Sequence, residues 1–261
     1  MIDNLIDAGV NLTNHQFAQV HDDVIARANA AGVKKMLVIG CDLVSSKQSL
    51  ELAIKHHQYA TAGIHPHDAK LATNELEEQL TMLANNKQVI AIGECGLDYN
   101  RDFSPRDVQR NVFKRQLALA EKLDLPVYLH ERDASDDMLS ILREYNVRGV
   151  LHCFTGNAQA LKSYLELGLY IGITGWVCDE RRGQELQQLV PSIPLERLLI
   201  ETDSPFLIPR TVKPKPKSRK NEPALLPYIC QTIAQLYQID ESIVANQTTK
   251  NFYRIFGLEN R

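Results

Sequence analysis

Residues 149–156 read "GVLHCFTG": a short apolar run, a histidine, then a turn carrying Thr155 and Gly156. An imidazole is an odd end for a strand that looks buried, because a buried histidine must lose its charge or find a partner. Taken alone, His152 is a core residue by default. Seven other runs change that reading. "NLIDAGV" from Asn4, "KMLVIG" from Lys35, "YATAGI" from Tyr59 and "VIAIG" from Val89 are short and apolar, and so are "PVYL" from Pro126, "LYIGITG" from Leu169 and "RLLIET" from Arg197. They recur at roughly 20 to 40 residues, the length of a strand–helix–strand unit.

The segments between them read as helices. In "SPRDVQRNVFKRQLALAEKLDLP", Ser104 is expected as the N-cap and Pro105 as the first helical residue. Val108, Val112, Phe113, Leu117 and Ala120 follow helical steps, with Gln116 as a polar intruder. "FAQVHDDVIARANAAG" stops at Gly32, a terminating position. Near-continuous apolar strands imply burial on both faces, the habit of parallel sheets covered by helices. Eight βα units in 261 residues predict an α/β fold, a (β/α)8 TIM-type barrel. One domain over residues 1–261 is expected, with an open doubly wound sheet as the structural alternative.

Composition narrows the setting. No apolar stretch approaches the ~20 residues of a membrane span, and no basic segment leads into a long apolar one near Met1. Five scattered cysteines without a CxxC pair indicate neither a zinc knuckle nor a disulfide framework, so a reducing cytoplasm is the expected home. A net charge of −3 argues against a surface coated with phosphate-binding cations, though not against a local patch.

In a barrel, reactive groups gather where strands meet the following loops. Those positions hold Asn11, His65, His67, Glu94, His130, His152 and Asp203. Several titratable groups at the same place in different units turn His152 from a core filler into a candidate ligand. Imidazole plus carboxylate is the donor set of a hydrolytic divalent-metal site. Cys95 and Cys153, adjacent to Glu94 and His152, should point the other way by strand alternation and serve as small core residues. His15, His21, His56 and His57 lie away from strand ends and read as solvated.

Further motifs extend the pattern: "AGIHPH", "VIAIGECGLDYNRDFSP", "QLALAEKLDLPVYLHERDA", "GVLHCFTG", "YIGITGW", "LLIETDSPFLIP", "NEPALLP" and "TTKNFYRIFGL". Together they resemble the TatD family of metal-dependent hydrolases, essentially from end to end. The resemblance implies a TIM-type barrel and a Mg²⁺-dependent deoxyribonuclease acting from the 3′ end of DNA. It also implies that Glu94, His130 and His152 are metal ligands and that Asp203 is a ligand or general base. Most members open with a His-x-His pair in a pattern like "DTHCHL", whereas "DAGVNL" here carries Gly9 and Asn11. One or two ions are therefore expected. Mg²⁺, which prefers oxygen donors and retained water, leads, with Mn²⁺ or Zn²⁺ as alternatives.

On this reading a cation polarises a phosphoryl oxygen and acidifies water, while Glu94 and Asp203 are the catalytic carboxylates. His65, His67 and Asn11 are expected to bind substrate. So are Arg132, Arg181 and Arg219, within loops that also carry Arg101, Arg182 and the Pro-stiffened basic segment "RTVKPKPKSRKNEP" from Arg210. Such cations attract a phosphate backbone in a salt-dependent way. Tyr99, Phe103, Trp176 and Phe206 could stack bases, at ~1–3 kcal/mol each, with core packing equally open for Phe206. The expected partner is single-stranded DNA or its 3′ end, with RNA a further candidate, and the chain is expected to act as a monomer without a membrane. Two other readings stay open: hydrolysis of amides or esters such as aminoacyl-tRNA, and nucleic-acid binding around a vestigial metal site.

Overall fold

Each of the eight apolar runs forms a strand in a computed structural model of the chain, which describes residues 3–214, 216 and 218–259. The strands are β1 (Leu5–Val10), β2 (Val33–Val38), β3 (Tyr59–Ala62), β4 (Val89–Asp98), β5 (Val127–Arg132), β6 (Gly149–Leu151), β7 (Tyr170–Ile173) and β8 (Leu198–Ile200). Between and after them lie α1 (His21–Ala30), α2 (Leu43–His56), α3 (Leu76–Ala84), α4 (Arg106–Leu123), α5 (Ser135–Leu142) and α6 (Ala158–Glu166). Three more helices follow: α7 (Gln184–Leu189), α8 (Leu226–Tyr237) and α9 (Glu241–Ile255). The sheet order is β1-β2-β3-β4-β5-β6-β7-β8, the succession of the (β/α)8 class. The described residues fall into two compact units. One draws on Met1–Leu37, Cys153–Ala158 and Tyr170–Arg261, the other on Val38–His152 and Gln159–Leu169.

In the second unit, β4 is buried over its whole length and runs four residues beyond Glu94, where the apolar run had ended. Gly93 pairs with Tyr128 and Cys95 with Leu129, so Glu94 is an extra residue in the register against β5. A bulge of this kind re-aims a side chain. It is permitted by glycine on either side: Gly93 and Gly96 have φ of 143° and 146°, and a Cβ on Gly96 would strike the His130 carbonyl oxygen.

Helix α4 buries Val112, Phe113, Leu117 and Ala120, as its periodicity predicts. Its start differs. Pro105, with ψ of 142°, is still extended and occupies the cap position itself, so the helix begins at Arg106. Ser104 is fully buried elsewhere: its hydroxyl donates to the His67 carbonyl (2.9 Å) and accepts from the Lys70 N–H (3.1 Å). Two glutamines seven residues apart on α4 are each 1% exposed. Gln116 accepts from the Ile64 N–H (2.8 Å) and donates to the Ile64 carbonyl (3.0 Å). Gln109 does the same for Asp98 (2.8 and 3.1 Å) and also donates to the Ser104 carbonyl (2.8 Å). Each amide thus satisfies backbone groups just where β3 or β4 runs out of partners.

In the first unit, β1 is buried throughout, and α1 ends before Gly32, whose φ is 90°. Within the C-terminal motif, Asn251 donates to the carbonyls of Leu195 and Leu198 (2.8 Å each), and Thr249 to that of Asn4 (2.8 Å). Asp7 is fully buried and accepts from the Thr202 N–H (2.8 Å), the Thr202 hydroxyl (2.5 Å) and the Gly9 N–H (3.3 Å). Burial pushes its carboxyl up to about 7, against the opposing pull of those donors.

Two outcomes follow. Gln116→Leu strips the Ile64 N–H and carbonyl of their partner and should lower unfolding free energy by roughly 2–5 kcal/mol in urea titration. A loss below about 0.5 kcal/mol would show that other groups satisfy Ile64. For Asp7, the folded chain keeps a proton that the unfolded chain releases near its ordinary pKa of ~3.9. Stability from this group is full below that value and is lost as pH rises toward about 7. Asp7→Asn should therefore gain on the parent across that window in melting-temperature profiles, and parallel profiles would refute the assignment.

Candidate active site

The second unit gathers the strand-end residues around one carboxylate. Glu94 Oε1 lies 2.9 Å from His130 Nδ1, 3.5 Å from His65 Nε2 and 3.8 Å from His152 Nε2. The Cys41 thiol faces the other oxygen, Oε2, at 3.6 Å. Glu94, His65 and His152 are all buried, at 6, 8 and 6% exposure, so their charges cannot be left to solvent. Burial opposes ionisation of Glu94, but the imidazoles of His65, His152 and His130 outweigh it and hold the carboxyl well below its ordinary value.

A second carboxylate, Asp98, completes the cluster, and sequence reasoning had not singled it out. Its Oδ2 is 2.6 Å from His67 Nε2 and 3.3 Å from His130 Nε2, while Oδ1 accepts from the N–H groups of Asn100 (3.0 Å) and Arg101 (2.8 Å). Burial works against this charge too, yet the bonds from His130, His67 and Arg101 keep the carboxyl far down. The available signal was strand period: Glu94, Gly96 and Asp98 alternate along one strand, once β4 is known to continue.

His130 is thus held at both nitrogens by carboxylates. Burial pulls its imidazole down, but the bonds from Asp98 and Glu94 prevail and raise it to about 9. His65 goes the other way, to about 4, because burial and the neighbouring His130 both disfavour its charge. The two carboxylates thus favour positive charge at this point of the cluster. One nitrogen each of His65 and His130 and one oxygen of Glu94 lie within 4.8 Å of one another, a donor set that fits a divalent ion.

The histidine in "GVLHCFTG" has its answer here. His152 Nδ1 meets the Tyr128 hydroxyl at 2.8 Å, and its other nitrogen faces Glu94. Tyr128 is fully buried and fixes which nitrogen points inward, the part that second partners play for ligand histidines. His65, expected to contact substrate, sits deeper than that role requires, among the candidate ligands. His67 is the more accessible of the "HPH" pair, with its side chain 30% exposed.

Asp203 belongs to the first unit, with φ of 52°. Its Oδ1 accepts from Asn11 Nδ2 (2.8 Å), and its N–H donates to the Gly9 carbonyl (2.9 Å). Gly9 and Asn11 thereby work as a mount for Asp203. Cys153 departs from the alternation expected of it: β6 ends at Leu151, the backbone at Cys153 turns left-handed (φ 47°), and its N–H donates to the buried Glu201 (2.6 Å). Its thiol lies 3.5 Å from the Thr174 hydroxyl, and the residue is only half-buried. Cys95 is fully buried, as expected.

The expected cations are partly neutralised. Arg181 and Arg182 lie 3.7 and 3.2 Å from the Asp179 carboxylate, and Arg210 lies 2.9 Å from Glu180. Arg132, at the end of β5, and Arg219, with φ of 51°, are exposed. Lys215 and Lys217 of the basic segment lie outside the described residues.

Known proteins share this architecture. A structure of the YJJV TatD homologue from Escherichia coli K12 superimposes with a TM-score of 0.90 at 27% identity, covering 98% of this chain and 99% of that one. A TatD family hydrolase from Entamoeba histolytica gives 0.88 at 28%, covering 99% of each. Among curated proteins, a 3′-5′ ssDNA/RNA exonuclease TatD of Erwinia tasmaniensis is 51% identical, covering 97% of this chain and 100% of that protein. Its namesake from Salmonella typhimurium is 49% identical, covering 97% and 98%. The family model for TatD-related DNases matches residues 6–257. On a match of that extent, the chain belongs to the TatD-related DNase family.

Proposed function

We propose that this chain is a metal-dependent exonuclease that removes nucleotides from the 3′ end of single-stranded DNA, with RNA as a second substrate. The observation carrying the proposal is the buried Glu94 carboxylate ringed by His65, His130 and His152. The relatives named as 3′-5′ ssDNA/RNA exonucleases support the choice of substrate.

Glu94, His130 and His152 would hold the cation. When bound, it supplies Lewis acidity toward a phosphoryl oxygen and acidifies water. Asp203, whose Oδ1 accepts from Asn11, would serve as the base that receives a proton from water. Asp98 and Tyr128 keep His130 and His152 aimed. His67, Arg132, Arg181 and Arg219 are assigned to substrate phosphate. We assign Mg²⁺ as the working ion. The imidazoles around Glu94 favour Mn²⁺ as a specific second reading, since nitrogen donors suit it better. We also assign it to the cytoplasm as a monomer acting in DNA repair or degradation; five free cysteines fit the reducing compartment. No helix among the described residues is long and apolar enough to cross a membrane.

Purified protein with Mg²⁺ should release mononucleotides first from the 3′-labelled end of a single-stranded oligonucleotide, and EDTA should stop it. Glu94→Gln should abolish both turnover and Mn²⁺ binding measured by calorimetry. Full activity in Glu94→Gln, release from the 5′ end first, or hydrolysis of aminoacyl esters with DNA left intact would overturn the assignment. Asp203→Asn should cut kcat by about 100-fold or more while leaving Mn²⁺ affinity unchanged, the mark of a base. Lost affinity would make Asp203 a ligand.

A further inference from the structure

We infer that Phe103 is a fixed stacking platform for the base of the terminal nucleotide, an inference that rests on the nuclease reading above. Four loop aromatics were candidates on sequence, and the structure separates them. The Tyr99 ring lies under the Arg106 guanidinium at 4.3 Å, with its hydroxyl on Asp137 at 2.6 Å. Trp176 is covered in the same way by Arg182 at 4.7 Å. Phe206 is 48% exposed but belongs to the first unit. Phe103 is 55% exposed and lies in the cluster's own unit.

A single exposed phenylalanine is ordinary. What distinguishes this one is its mounting and its neighbour. The Phe103 ring meets the His67 ring at 4.7 Å between centroids, 66° apart, and His67 in turn holds Asp98 at 2.6 Å. The His67 ring is 6.1 Å from that of His130, so Phe103 stands one side chain away from the candidate ligands. The loop that carries it is tied down at the residue's own carbonyl and just after it. Lys70 Nζ donates to the Phe103 carbonyl (2.9 Å), the next residue Ser104 bonds the His67 carbonyl (2.9 Å), and Gln109 holds the Ser104 carbonyl (2.8 Å). An apolar ring kept in water by a rigid loop has little ordering entropy left to lose when a flat partner covers it.

The partner's chemistry follows from what surrounds the ring. Lys70 is occupied by a carbonyl, and the nearby Arg106 by Asp102 (2.8 Å). The face offers stacking rather than a hydrogen-bond code, so it should accept any of the bases, each having a π-face. A base seated on Phe103 would leave its sugar and phosphate on the His67 side, toward Glu94 and His130.

The test compares two single-stranded oligonucleotides, one with an ordinary 3′-terminal base and one with an abasic tetrahydrofuran residue there. Phe103→Ala should raise KM for the first by about 5- to 100-fold with kcat nearly unchanged, and should leave the second unaffected. Phe103→Trp should retain the parent KM, whereas Phe103→Leu, apolar without a π-face, should behave like alanine. An equal loss on both oligonucleotides would mean that Phe103 only supports His67, and no loss on either would also overturn the platform. If the parent hydrolyses neither oligonucleotide, the nuclease reading fails. The platform is then judged by fluorescence-anisotropy titration of the same labelled probes, where unchanged affinity in Phe103→Ala refutes it.

Discussion

A carboxylate buried as deeply as Glu94 cannot remain ionised without company, and much of the second unit is arranged to supply it. Three imidazoles approach one of its oxygens and a thiol approaches the other. The imidazoles are not equivalent. His130 bridges two carboxylates that raise it to about 9, while burial and the neighbouring His130 lower His65 to about 4. Proton and metal are alternative solutions to the same electrostatic problem, because a ligand imidazole must first give up its proton. The cluster is thus preorganised for positive charge by two carboxylates held among imidazoles. Asp98, reached by His67 and two backbone N–H groups, keeps His130 in place whichever cation is present.

Preorganisation of this kind requires the strand ends to be held, since a strand leaving the sheet exposes backbone groups that the sheet no longer pairs. Helix α4 meets that requirement with two glutamines. Their spacing of seven residues is close to two helical turns, so both amides emerge on one face. One grips Ile64, immediately before His65, and the other grips Asp98 itself. Ser104, at the foot of the same helix, ties in the His67 carbonyl. A helix that reads as a cover for the sheet is also the brace that fixes three of the site's residues.

Much of this was legible in the sequence. Parallel strands buried on both faces are near-continuous apolar runs, so all eight were visible, and titratable residues at their ends marked Glu94, His130 and His152. What stayed hidden depended on neighbours in space. The four residues after Glu94 include Gly96 and Asp98, poor strand formers that are strand only because β5 pairs with them. Ser-Pro signals a helix start, yet Pro105 keeps an extended ψ and Ser104 is used by another loop. Gln116 looked like an interruption because helical periodicity says nothing of a backbone lacking partners nearby. The basic loops looked stronger than they are because counting arginines ignores Asp179 and Glu180 beside them.

Gly9 and Asn11 depart from the histidine pair that the resemblance leads one to expect, and both instead hold Asp203. A histidine at position 11 would bring a ring with two nitrogens. Asn11 brings an amide whose Nδ2 donates to Asp203 Oδ1 at 2.8 Å, while the Gly9 carbonyl takes the Asp203 N–H. Asp203 is held in a left-handed turn that is rare for residues with a Cβ, so its conformation needs such support. Asp7 adds more from beneath, gripping the backbone and hydroxyl of Thr202 one residue earlier. The start of β1 therefore serves the acid at the end of β8. A carboxylate held at its backbone N–H and at Oδ1 keeps one orientation, which is what the proposed role of a base requires.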